Sequence, residues 1–185
     1  KVIRQAVSEA GGNENLVSCI TIPTMEATDN LMRHRDVAMI LATGGSAMVR
    51  AAYSSGTPAI GVGPGNGPAY LEKSCDLKLA VKRIMDSKTF DNGTICASEQ
   101  SIICDEDMVV AVQAEMERQG AYFLDEGERE QLGRFILRAN GTMNPEIVGR
   151  SVETIAKLAG LTKVPASARV LVARETGVGR GDRKS

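Results

Sequence analysis

The stretch Val37-Ala-Met-Ile-Leu-Ala-Thr-Gly-Gly-Ser-Ala-Met-Val-Arg-Ala-Ala-Tyr53, with Pro58-Ala-Ile-Gly-Val62 close behind it, decides the fold class. The apolar run Val37–Ala42 predicts a buried strand, and Gly44-Gly45 predicts a turn. Ala47–Tyr53 then predicts a short helix and Pro58–Val62 another strand. Strands joined through a crossover of roughly ten or more residues run parallel, so the pattern predicts an α/β chain with a parallel sheet. Such sheets take ligands at the carboxyl ends of their strands. Both glycine clusters, Gly44-Gly45 and Gly61–Gly67, lie at such ends.

The alternation continues on either side. Upstream, Val2, Ile3, Ala6, Val7 and Ala10 mark a helix face that Gly11-Gly12 closes. Leu16–Ile20 predicts a strand with Cys19 in the core, and Met25–Met32 predicts a helix. Downstream, Gly61–Pro68 packs four glycines and two prolines into eight residues and predicts a boundary or hinge. A second α/β series follows. Leu77, Ala80, Val81, Ile84 and Met85 form a helical stripe, and Ser101–Cys104 predicts a strand. Asp105 suits the N-cap of a helix running to about Arg118. Leu132, Phe135 and Ile136 mark a further helix, Ser151 to Gly160 bracket another, and Val170–Ala173 predicts a last strand. The tail Gly177–Ser185 carries no apolar pattern. The chain opens directly on a crossover helix, so it reads as the middle of a longer protein.

Composition narrows the function. Net charge is −1, there is no Trp, and Tyr and Phe number three each. That excludes the basic surface and the stacking platform of a nucleic-acid binder. No apolar run approaches the roughly 18 residues of a membrane span, and no secretory signal opens the chain. Cys19, Cys75, Cys96 and Cys104 lack metal-site spacing, and the lone His34 supplies no companion ligand, so no metal is expected. Reduced thiols in a cytoplasmic setting are the expectation. His34 has charged neighbours on both sides and reads as a solvated loop residue. The charged residues between Glu115 and Arg138 read as solvated helix faces.

Two segments could carry chemistry. Gly44-Gly45-Ser46 stands between a strand and a helix start, where bare N–H groups and the helix dipole attract phosphate. A tight turn with no ligand is the alternative. Cys96 follows the turn signal Asn92-Gly93 in Phe90-Asp-Asn-Gly-Thr-Ile-Cys-Ala-Ser-Glu-Gln100. A helical turn starting there would favour thiolate and a nucleophilic role. A small buried hydrophobe is the other reading.

The run Ser87-Lys-Thr-Phe-Asp-Asn-Gly-Thr-Ile-Cys-Ala-Ser-Glu-Gln-Ser101 resembles the nucleophile segment of the CoA-acylating branch of the aldehyde dehydrogenase superfamily. That branch includes the acetaldehyde dehydrogenase half of aldehyde–alcohol dehydrogenases and the ethanolamine and propanediol pathway enzymes. Leu41–Tyr53 resembles their NAD-contacting strand–turn–helix, and Pro58–Pro68 resembles the loop behind it. The resemblance implies a Rossmann-like NAD domain ending near Pro68 and an α/β catalytic domain from Ala69 onward. It implies Cys96 as nucleophile, with Thr43, Gly44, Gly45, Ser46, Val62 and Gly63 along the cofactor. It further implies NAD as cofactor, coenzyme A and a short-chain aldehyde as substrates, and a homo-oligomer. The family's side-chain oxyanion asparagine would lie upstream of Lys1. Its ribose-contacting glutamate and oligomerisation strand would lie beyond Ser185, so this stretch alone is expected to be inactive. In hydrolytic relatives a glutamate base stands 34 residues before the nucleophile, and here that position is Val62. Transfer to CoA is therefore expected rather than hydrolysis. The alternatives are a hydrolytic aldehyde dehydrogenase, a non-catalytic nucleotide-binding domain, and an acyl-phosphate reductase, whose cysteine segment does not read Cys-Ala-Ser-Glu-Gln.

Overall fold

The structure is a computed structural model that describes residues 1–63, 65, 67–138 and 142–175. The tail Gly177–Ser185 lies outside the described residues. The chain divides into two compact units, Lys1–Pro64 and Gly65–Ser185.

In the first unit, α1 (Val2–Glu9) and α2 (Met25–Met32) precede β1 (Ile40–Thr43), α3 (Ser46–Tyr53) and β2 (Ala59–Val62). The crossover forms because β1 and β2 pair in parallel, Ile40 opposite Ala59 and Thr43 opposite Val62. The alternation of side chains sends Ala42 down onto α3, where Met32, Ala42 and Ala52 are buried beside Ile40, Met48 and Ala59. Leu41, Ile60 and Val62 point to the other face and are exposed. Two sequence expectations fail here. Leu16–Ile20 forms no strand, because Asn13 accepts a 2.9 Å bond from the Asn15 N–H and winds Glu14–Leu16 into a 3₁₀ turn. Cys19 is accordingly exposed, not core. The strand expected from Val37 begins only at Ile40. Val37 N–H is held in a turn by the His34 carbonyl, and the ladder opens with Ile40 N–H to Pro58 C=O.

The second unit contains β3 (Gly67–Leu71), α4 (Leu77–Thr89), β4 (Glu99–Cys104), α5 (Val109–Arg118) and β5 (Ala121–Phe123). The unit continues with α6 (Glu126–Ile136), α7 (Val152–Ala159) and β6 (Val170–Val172). β3 pairs in parallel with β4, and β5 with β6. The stripe expected on α4 forms the centre of the core: Val81 and Met85 are 0% and 1% exposed, packed with Leu71, Ile84, Val112, Met116 and Ala121. Burial of each such side chain stabilises by about 1.5–3 kcal/mol. Leu132, Ala156, Ala159 and Leu161 form a second cluster between α6 and α7.

The helix ends are built by side chains. The Asp76 carboxylate accepts from Leu79 N–H, Ser151 accepts from Thr154 N–H, and Gly160 ends α7 at φ 74°. Asp105 departs from its expected cap role: its side chain caps nothing and faces the Lys73 ammonium at 3.5 Å, while a 3₁₀ turn, Glu106–Met108, leads into α5. Glu128 is buried, not solvated, because it closes a capping box with Asp125 and accepts from the Tyr122 hydroxyl at 3.1 Å. β3 and β5 are additions to the sequence reading.

Candidate active site

Two segments carry the candidate residues, one in each unit. In the first, the parallel pairing of β1 and β2 sets Thr43 opposite Val62, and Gly44 N–H donates to the Val62 carbonyl at 3.1 Å. Thr43, Gly44, Gly45, Ser46, Val62 and Gly63 therefore converge on the carboxyl edge of the strands, all exposed. Gly45 is the N-cap of α3 and has no side chain to occupy the first N–H groups of that helix. A β-carbon added at Gly45 or Gly63 would meet nothing within 4 Å, and one at Gly44 only Met48 at 3.6 Å. The backbone is thus open to close approach by a phosphate or ribose, which is what a dinucleotide requires.

Gly61 differs from its neighbours in the glycine cluster. A β-carbon there would lie 2.5 Å from Val49 Cγ1 and 2.9 Å from Tyr53 Cε2, and its N–H donates to the Tyr53 hydroxyl at 3.0 Å. Gly61 packs α3 onto β2.

In the second unit, Cys96 occupies an exposed turn between Gly93 and the first residue of β4. No helix starts there, so the helix-terminus environment expected for the thiol is absent. The turn is shaped instead by Ser98, which is 2% exposed. Its N–H and its hydroxyl both donate to the Ile95 carbonyl, at 3.2 and 3.0 Å, so Cys96 and Ala97 form the corner. The backbone also comes close on another side: a β-carbon on Gly65 would sit 3.1 Å from the Cys96 carbonyl oxygen. The thiol stands in the turn that leads into the amino end of β4.

The approach to this turn is left-handed. Asp91 and Asn92 have φ/ψ of 49°/38° and 50°/36°, and Gly93 follows at φ 72°. Such a conformation costs a non-glycine residue about 1–2 kcal/mol, so its surroundings must hold it. Thr94 donates to the Asp91 carbonyl twice, from N–H at 3.1 Å and from its hydroxyl at 2.7 Å. Asn92 Nδ2 donates 3.0 Å to the carbonyl of Gly149.

Behind the turn lies a half-buried charge. Lys88 Nζ donates to Gln100 Oε1 at 2.7 Å. Burial holds its ammonium below the ordinary lysine range, and the nearby Glu99 carboxylate opposes that shift. One Glu99 carboxylate oxygen is buried without a hydrogen-bond partner.

The remaining cysteines differ. Cys75 and Cys104 pack against the core, and burial, then Asp105 and Asp107, push the Cys104 thiol up. His34 is exposed, with Nδ1 accepting from Asp36 N–H at 3.3 Å. Among the described residues no group of three or more His, Cys, Asp or Glu is placed to hold a metal ion, and no helix is long and apolar enough to cross a membrane. Sequence reasoning missed Ser98, Lys88 and Gly149. Only the Asn92-Gly93 turn signal hinted at the geometry, and Gly149 carries no local signal at all.

Residues 2–129 match the model of the aldehyde dehydrogenase family. Aldehyde-alcohol dehydrogenase 2 of Entamoeba histolytica is 44% identical over 181 residues, which is 94% of this chain and 21% of that protein. A probable aldehyde dehydrogenase of Listeria monocytogenes EGD-e is 64% identical with a TM-score of 0.90, over 96% of this chain and 39% of the other. An acetylating aldehyde dehydrogenase of Geobacillus thermoglucosidasius is 49% identical with a TM-score of 0.90, over 97% and 39%. The chain thus spans about a fifth of the length of the curated aldehyde-alcohol dehydrogenases it matches.

Proposed function

This chain belongs to the aldehyde dehydrogenase family, and on that premise we propose that it is part of a CoA-acylating aldehyde dehydrogenase that uses Cys96 as its nucleophile. The observation that carries the reading is the Cys96 turn: an exposed thiol at the corner of a turn whose far residue, Ser98, is buried and fixed. A nucleophile needs access for the substrate together with a rigid seat.

In this reading the Cys96 thiolate attacks the carbonyl carbon of a short-chain aldehyde and forms a thiohemiacetal, with the Cys96 N–H as one donor to the oxyanion. NAD, when bound, would supply the hydride acceptor for oxidation of this adduct to the Cys96 thioester. The residues that would hold it are Thr43, Gly44, Gly45, Ser46, Val62 and Gly63, whose open backbone suits a dinucleotide. Coenzyme A, its thiol having given its proton to solvent, then takes the acyl group from Cys96, and the C–S bond to Cys96 breaks to leave its thiolate free.

Val62 supports CoA rather than water as acceptor. Its side chain holds no proton acceptor, and base assistance to water is worth about 10²–10⁴-fold. A thiol ionises in water far more readily than water itself does, and its thiolate attacks a thioester without a positioned base. A reducing cytoplasm suits four free cysteines, and the full-length enzyme is proposed to assemble as a homo-oligomer. The test is product identity with the full-length enzyme, a short aldehyde and NAD⁺. Acyl-CoA with CoA present, and little free acid without it, is expected. Free acid released at the same rate without CoA would overturn the acylating assignment in favour of the hydrolytic one.

A further inference from the structure

The left-handed approach to Cys96 is fastened to a distant part of the chain. Asp91, Asn92 and Gly93 are successive residues with positive φ, and Asp91 and Asn92 are the two such non-glycine residues among those described. Thr94 closes the segment locally through its two bonds to Asp91. The fastening from outside is Asn92 Nδ2 to the Gly149 carbonyl, across 57 residues of sequence. Gly149 also fits against the same segment sterically: its φ is 68°, and a β-carbon there would lie 3.3 Å from Thr94 Oγ1.

The post to which Asn92 is tied is itself fixed. Asn144 N–H donates to the Ile136 carbonyl at 2.8 Å, and Asn144 Nδ2 to the Phe135 carbonyl at 3.2 Å, which pins Asn144 to the end of α6. Pro145–Ile147 forms a 3₁₀ turn, and Arg150 N–H donates to the Ile147 carbonyl at 3.1 Å. Ser151 then caps α7. The Gly149 carbonyl therefore stands on the stretch Asn144–Ser151, which is tied to α6 at one end and caps α7 at the other.

We propose that the stretch Asn144–Arg150 ahead of α7 positions the nucleophile, with Asn92 and Gly149 as positioning residues that hold the Asp91–Ser98 segment, and so the Cys96 sulfur, in its reactive place. The proposal rests on the reading of Cys96 as nucleophile. Asparagine suits position 92 on both counts. It tolerates the left-handed conformation better than most residues, and its amide supplies the donor that the Gly149 carbonyl needs.

The test separates tether from fold, using the full-length enzyme. Asn92→Gly removes the tether while relieving the backbone, whereas Asn92→Asp keeps the size but turns a carboxylate toward a carbonyl. If Asn92 only shapes the turn, Asn92→Gly keeps both Tm and turnover. If it positions Cys96, Asn92→Gly keeps Tm but loses about 10- to 100-fold in kcat, with KM for aldehyde within about twofold, as expected for a displaced reacting group. Asn92→Asp is expected to lose at least as much. Wild-type kcat in Asn92→Gly, or a KM that rises in step with the fall in kcat, would overturn the proposal. A parallel Cys96→Ala enzyme distinguishes the two readings. If it turns over, the nucleophile assignment itself fails. If it is dead while Asn92→Gly is fully active, only the positioning role fails.

Discussion

Ser98 binds the carbonyl of Ile95 twice, through its N–H at 3.2 Å and its hydroxyl at 3.0 Å, and so closes the turn around Cys96. Removing the hydroxyl leaves that carbonyl one donor, so Ser98→Ala should cost about 0.5–1.5 kcal/mol and not more. Urea unfolding measures it. A loss well above this range would mean that Ser98 holds more than the turn.

The four thiols should separate into two classes in the full-length enzyme. Cys96 should alkylate readily with iodoacetamide, while Cys75 and Cys104 should be slow. Both pack against the core, and the Cys104 thiol is pushed up by burial and by Asp105 and Asp107. Cys19 is exposed and will also react, so peptide mapping is needed to tell it from Cys96. Cys96→Ala should abolish dehydrogenase turnover and leave NAD binding nearly unchanged, measured by activity assay and titration.

Gly45 and Gly61 should respond in opposite ways. Gly45 has φ −65° and ψ 161°, a conformation valine adopts easily, and open space where its side chain would go. Gly45→Val should lower stability by no more than about 1 kcal/mol, since valine caps a helix less well than glycine, and weaken NAD binding by on the order of 1–3 kcal/mol, through lost backbone contacts. Gly61→Ala forces a methyl against Val49 and Tyr53 and should destabilise by about 1–3 kcal/mol. Thermal unfolding and NAD titration of both variants check the contrast. Unchanged NAD affinity in Gly45→Val would place the cofactor elsewhere.

Acid should loosen the second unit through Asp125. The Lys163 ammonium at 2.6 Å, then the Glu128 N–H at 2.8 Å, hold the Asp125 carboxyl below its ordinary 3.8. A depressed folded value means stabilisation that is complete above the unfolded pKa and is lost as pH falls through the folded one. The window therefore lies below about pH 4. Asp125→Asn keeps the cap on α6 but removes the charge, so its stability should fall less steeply across that window. Unfolding curves from pH 5 downward test it, and identical slopes would count against the assignment.

Much of the frame was legible because its signals are local. The α4 stripe, the Ser151 cap and the Gly160 stop are each written within one or two helical turns, and each forms as read. The strand–turn–helix around Gly44-Gly45 was legible for a similar reason: a strand, two glycines and a helix occupy consecutive positions. The misreadings share a physical cause. Leu16–Ile20 has the composition of a strand, yet a strand needs a partner ladder, and Asn13 captured the backbone first. β5 has only three residues, and its pairing with β6 spans almost fifty positions, which no local window contains. The seat of Cys96 was read as a helix start because Asn92-Gly93 announces a turn without giving its hand. The carbonyl that holds Asn92 in that turn belongs to Gly149, 57 positions along the chain.

β4 also acts as a spacer. The Cys96 turn leads into its first residue, Glu99, while its last residue, Cys104, leads to Asp105 and Asp107, which grip Lys73 at 3.5 and 2.8 Å. At about 3.3 Å per residue the ends of the strand stand roughly 17 Å apart. Substitutions that far apart usually add without interacting. An engineer can therefore rebuild the Lys73 charge network for tolerance of heat or salt and combine the result with any redesign of the Cys96 turn, because one strand keeps the two problems independent.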